Sequence, residues 1–90
     1  MRIAKGFTLR EVGNDNVLVP EGIEVIDFNK LICLNKSAVY LWQKLSERDS
    51  FEMDDAVRLL TEKYDVDEPT ARKDAETLIG QWKRIDLVLL

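Results

Sequence analysis

Ninety residues, 46% apolar and 33% charged, describe one globular domain with no room for a second core. The net charge of −4 argues against a general nucleic-acid binder, which needs a concentrated basic face to displace counterions from phosphates. The chain has no histidine, one cysteine and no apolar run of about 18 residues, which excludes imidazole catalysis, an intrachain disulfide and a membrane-spanning helix.

The first ten residues carry Arg2, Lys5 and Arg10 and no acid. They contain neither an apolar h-region nor a small-residue cleavage site, so no signal peptide is expected there, and a reducing cytoplasmic setting fits the single cysteine. Phe7–Val12 alternates apolar and polar, the period of a half-buried strand. Gly13-Asn14-Asp15-Asn16 reads as a hairpin turn, because these residues tolerate left-handed backbone. Val17-Leu18-Val19 is the return strand, ended by Pro20, which has no N–H for a ladder. Glu21–Asn29 is ambiguous: Gly22 marks a turn, Val25, Ile26 and Phe28 ask for packing, and Asp27–Lys30 fits a tight turn into the next strand. That strand is Leu31–Leu34, and it runs straight into a helix through Asn35, a good N-cap.

From Asn35 on the chain is helical almost to its end. The first helix spans Lys36–Glu47, with Ala38, Leu41, Trp42 and Leu45 on one apolar face and Val39 and Tyr40 off it. Arg48-Asp49-Ser50 breaks the pattern, and Ser50 is the expected cap of a second helix over Glu52–Tyr64, whose face is Met53, Ala56, Val57, Leu60 and Tyr64. Glu52, Asp54 and Asp55 suit its positive end. Asp67 is the expected cap of a third helix, Glu68–Arg84, with Pro69 in the first turn where a missing N–H costs nothing. Its apolar face is Ala71, Ala75, Leu78, Ile79 and Trp82. Ile85–Leu90 is an apolar tail too short for another helix. Strands first and helices after predict an α+β domain with the helices on one face of a small antiparallel sheet.

Nothing here reads as a reaction centre. Cys33 has no imidazole partner and is expected to be a packed small apolar residue. A transition-metal site needs histidine or several cysteines. Asp65-Val66-Asp67-Glu68 lacks the central glycine of a calcium loop and is explained by helix capping. Asp54 and Asp55 are adjacent on a helix and point apart. Trp42, Tyr64 and Trp82 lie on apolar faces and read as core, whereas Tyr40 reads as an edge residue. Binding remains, and the sheet is the place to look. Leu31–Leu34 has no proline, internal charge or glycine bulge to protect it as an edge strand, so it is open to pairing with another chain unless the tail or Glu24–Phe28 covers it.

The residues that suggest more are the run Ile32-Cys33-Leu34-Asn35, then Ala38 and Leu41-Trp42, the turn Lys63-Tyr64-Asp65-Val66-Asp67, and Ala71-Arg72-Lys73-Asp74 followed by Leu78. In this order and spacing, from about Phe7 to Leu87, the chain resembles the PqqD family of small peptide chaperones, whose domain also serves as the recognition element of enzymes that modify ribosomally made peptides. The resemblance implies a winged-helix-like α+β fold, three short antiparallel strands followed by three helices, with no catalysis and no cofactor of its own. It implies a precursor peptide as partner, its leader segment lying as an added strand along the third strand in a cleft walled by the third helix. It also implies a peptide-modifying enzyme as second partner, often a radical S-adenosylmethionine enzyme. Carried onto this chain, the peptide-binding residues are Leu31, Ile32, Cys33 and Leu34 on the strand, and Ala71, Arg72, Ala75, Leu78, Ile79 and Trp82 on the helix. Lysines near the cleft and strand (Lys30, Lys36, Lys73) with Arg72 favour acidic leader peptides. Two other readings stay open. One is a winged-helix nucleic-acid binder, opposed by the net charge and the mixed charges of the third helix. The other is a self-associating adaptor, a homodimer paired through the open edge or Leu87–Leu90.

Overall fold

The computed structural model of the chain describes residues 1–21 and 32–90. Leu31 and the ambiguous stretch from Gly22 to Lys30 therefore lie outside the described residues. The elements are β1 (Arg2–Ile3), β2 (Phe7–Val12), β3 (Asp15–Pro20), β4 (Ile32–Leu34), α1 (Lys36–Ser46), α2 (Met53–Lys63), α3 (Glu68–Arg84) and β5 (Val88–Leu89). This is the expected mixed α+β order, three antiparallel strands then three helices, with a short ribbon added by the two ends of the chain.

β2 and β3 form a hairpin in which Val12 pairs with Asp15, leaving Gly13 and Asn14 as the two-residue loop. Gly13 takes φ +63°, the left-handed value that a first loop residue needs for the strand twist to match. β4 then pairs antiparallel with β3, Val17 opposite Cys33 and Leu18 opposite Ile32. Directly opposed residues share a face, so Leu9, Leu18 and Ile32 point one way and Arg10, Val17 and Cys33 the other. Leu18 and Leu34 join the helices in the main core, with Leu9 and Ile32 packed against it. Val17 and Val19 are also buried, outside that cluster.

The helices start where side chains satisfy free backbone N–H groups. The Asn35 side-chain oxygen accepts from the Ala38 N–H at 2.9 Å, and the Asp67 carboxylate accepts from the Thr70 N–H at 2.9 Å. Both caps are the expected ones. The second helix differs. Ser50 does not cap it; α2 begins at Met53 with Glu52 as N-cap, and Asp55 reaches back to the Glu52 N–H at 2.8 Å, a reciprocal arrangement typical of a capping box. The reason is Phe51, fully buried, whose N–H donates to the Met1 carbonyl at 2.7 Å. Anchoring that ring delays the helix by two residues.

The core is assembled from Ala38, Leu41 and Leu45 of α1, Ala56, Val57 and Leu60 of α2, and Ala71, Ala75, Ile79 and Trp82 of α3. Alanines at 56, 71 and 75 let helices approach closely where α2 packs on α3. Arg72 adds a link on the outside of that contact, 2.7 Å from Asp54 and 3.4 Å from Glu68. Being exposed, it contributes little to stability.

The ends of the chain meet. Asp86, at φ +60°, turns the tail back after α3, and Val88–Leu89 pairs antiparallel with Arg2–Ile3. Ala4 donates to the Leu87 carbonyl at 2.8 Å, and Leu87 and Val88 are buried. The apolar tail is thus engaged within the chain, in a two-stranded sheet separate from the one that holds β4.

The Asp67 cap makes a pH prediction. The Thr70 hydroxyl and the Thr70 backbone N–H hold its carboxyl below the usual aspartate value. A carboxyl lowered in the folded state binds fewer protons there than when unfolded, so the cap stabilises at neutral pH and its contribution is lost as pH falls through the folded value. Asp67→Asn keeps a capping oxygen without titrating, so this variant is expected to show a shallower loss of thermal stability between about pH 5 and 2 than the parent. Identical acid limbs would rule this out.

Candidate peptide-binding cleft

The sheet order β2-β3-β4 places β4 at an edge, with no partner strand on its outer side among the described residues. Within β4, Leu34 is buried, Ile32 is half-buried against the core, and Cys33 is exposed. Cys33 is therefore not the packed core residue expected from its apolar neighbours. Alternation in a strand puts it on the face away from the helices, beside Val17.

At the end of β4, where the chain passes into α1, a cleft of about 800 Å³ opens. One wall is the start of α1, with Asn35, Lys36 and Ser37. The opposite wall is the flank of α3, with Lys73, Asp74, Thr77, Leu78 and Gln81. Leu41, Leu60, Tyr64 and Val66 complete it, so its depth is apolar and its mouth polar. Tyr64 is held by an edge-to-face contact with Tyr40, centroids 6.2 Å apart, and the Lys63 ammonium lies 5.5 Å from the Tyr40 ring centre.

The structure separates the residues carried over from the resemblance. Leu78 lines the cleft. Ala71, Ala75, Ile79 and Trp82 do not; they are buried among the other helices and support the wall from behind. Arg72 faces the α2 side, where it borders a second hollow with Asp54, Arg58 and Glu68. A helix packed on a core spends most of its apolar stripe there, and of this stripe only Leu78 reaches the cleft, beside a neighbouring polar stripe. That stripe is Lys73, Thr77 and Gln81, with Asp74 and Leu78 beside it, spaced by three and four residues. The spacing is visible in the sequence once the core is known to take Ala71, Ala75, Ile79 and Trp82. Among the described residues there is no cluster of three or more His, Cys, Asp or Glu placed to hold a metal, and no helix long and apolar enough to cross a membrane.

Comparisons with known proteins bear on this geometry. A family model described as coenzyme PQQ synthesis protein D (PqqD) matches residues 17–88. The solved structure of TbiB1 in complex with the TbiA(beta) leader peptide superposes with a TM-score of 0.70 at 18% sequence identity, covering 97% of this chain and 93% of that one. At that identity the likeness is one of fold. No curated protein matches by sequence.

Proposed function

The chain belongs to the PqqD family, and we propose that it is a non-catalytic carrier that captures the leader segment of a ribosomally made precursor peptide and presents it to a maturation enzyme. The leader adds as a strand to β4, and its side chains enter the cleft at the β4–α1 junction. The observation that carries this reading is the pairing of the tail with β1, which leaves the outer edge of β4 without a strand among the described residues. An edge strand without proline or charge is a template for strand addition. TbiB1, which shares the fold, has been solved with a leader peptide, and this supports a peptide as the guest here. A radical S-adenosylmethionine enzyme is the proposed recipient, as the family resemblance implies, and the setting is the cytoplasm.

The energetics suit a carrier. A few backbone hydrogen bonds along β4 contribute about 0.5–1.5 kcal/mol each, and an apolar side chain buried in the cleft about 1.5–3 kcal/mol. Association costs about 4–15 kcal/mol. The association cost offsets most of that gain, which keeps capture readily reversible. The homodimer reading through Leu87–Leu90 is less favoured, since Leu87 and Val88 are buried within the chain.

Cys33 supplies the test. As the only cysteine, exposed on β4, it should react readily with a maleimide in the free protein. Saturation with a bound precursor peptide is expected to slow that reaction at least fivefold and to shift the amide resonances of Ile32–Leu34 and the Lys73–Gln81 flank. Binding that leaves both unchanged would place the guest elsewhere and sink strand addition.

A further inference from the structure

The mouth of the cleft carries two cations and one carboxylate. The chain is acidic overall, at −4, yet Lys36 at the start of α1 and Lys73 on α3 both line the cleft, beside the single carboxylate of Asp74. The four ion pairs found among the described residues lie on Asp54, Asp55 and Glu68, and none engages either lysine. Nearby hydroxyls are already committed, Ser37 to the Asn35 side chain and Thr77 to the Lys73 carbonyl. The strongest groups left to meet a guest are therefore two ammonium ions above an apolar floor of Leu41, Leu60 and Leu78.

We infer that this cleft selects guest peptides by a paired signal, a large apolar side chain that enters it and a carboxylate that is read by Lys36 and Lys73. The inference rests on the peptide-capture reading and adds its selectivity. The spacing follows from strand geometry. In an extended guest, neighbours point to opposite faces, while residues two apart lie on the same face about 6.6 Å from each other. The acid that reaches the mouth is thus two positions from the apolar residue, on either side, and not adjacent to it. Attraction by exposed lysines is modest for each and weakens with salt, so the pair sharpens selection without making release slow.

The test is a random dodecapeptide library displayed on phage and panned against the full chain, tethered after the exposed Leu90. Enriched peptides are expected to share an Asp or Glu two positions from Leu, Ile, Phe, Tyr or Trp, and to protect Cys33 from maleimide. In a synthetic copy of one such peptide, replacing the acid by lysine should weaken binding by about tenfold at low salt, two exposed charge contacts being lost. The Lys36→Glu/Lys73→Glu variant, altered only at exposed positions, should reverse that preference. Peptides that protect Cys33 but show no acid at this spacing, or a variant that still prefers the acid, would overturn the inference and leave peptide capture standing. A library with no member that protects Cys33 would overturn peptide capture, and the inference with it.

Discussion

Trp82→Ala is expected to remove about 3–5 kcal/mol of folding free energy, the cost of deleting a fully buried aromatic ring from a close-packed core. Trp82 is 2% exposed in the last turn of α3, and its carbonyl accepts from the Leu87 N–H at 2.8 Å. Its ring thus packs where α3 ends and the tail turns back toward β1. A chain of this length has roughly 5–13 kcal/mol in total, so the variant loses a large part of its stability. Urea unfolding followed by circular dichroism should show a much lower midpoint with a similar slope, and Trp82→Phe a smaller shift. A loss below about 1 kcal/mol would mean that the core relaxes around the gap, contrary to the packing described. Weakened peptide capture by Trp82→Ala is then a consequence of unfolding and not of a lost contact, since the ring does not reach the cleft.

Leu78→Asp is expected to weaken guest binding by tenfold or more at a smaller cost in stability than Trp82→Ala, because Leu78 is only half-buried against the core. Leu78 is half-buried and lines the cleft between the two helices. An aspartate there removes apolar floor and places a fixed carboxylate near Lys36 and Lys73, where it competes with the guest. Loss of a central apolar anchor typically costs about 2 kcal/mol or more of binding, and Leu78→Ala should lie between the aspartate variant and the parent. Isothermal titration with a peptide that protects Cys33, paired with a thermal melt, separates the two effects. Affinity unchanged in a folded Leu78→Asp protein would remove the cleft from the binding site. Glu62→Ala, exposed on α2 and outside the cleft lining, serves as the control with no expected change.

Those two residues sit four apart on one helix and were both on the apolar stripe expected of α3. Their contrast shows what periodicity can resolve. A stripe marks the face that leaves water, but a core and a cleft both exclude water. Trp82 and Leu78 differ only in what lies opposite them. The same limit applies to Cys33. Its neighbours Ile32 and Leu34 are apolar, and a three-residue run does not tell which alternate position faces the helices; the pairing of Val17 with Cys33 does. Phe51 and the β1–β5 ribbon were missed for a related reason. A two-residue strand has no detectable period, and the backbone at the buried Phe51 is tied to the Met1 carbonyl, fifty positions away.

What the sequence by itself determined is local. Asn35 and Asp67 have side chains short enough to cap the helix that follows, the three helical stripes repeat at 3.6 residues, and Gly13 meets a turn that demands positive φ. Each of these interactions closes within a few residues, so it is written in adjacent letters. The order of elements and the resemblance in motif spacing followed from them, and the match over residues 17–88 agrees. The tertiary structure alone decided what faces what: the tail on β1 and not on β4, most of the stripe of α3 spent on the core, and the flanking Lys73–Gln81 stripe left to wall a cleft against Lys36. Those relations join residues dozens of positions apart, and only the packed chain sets the distances between them.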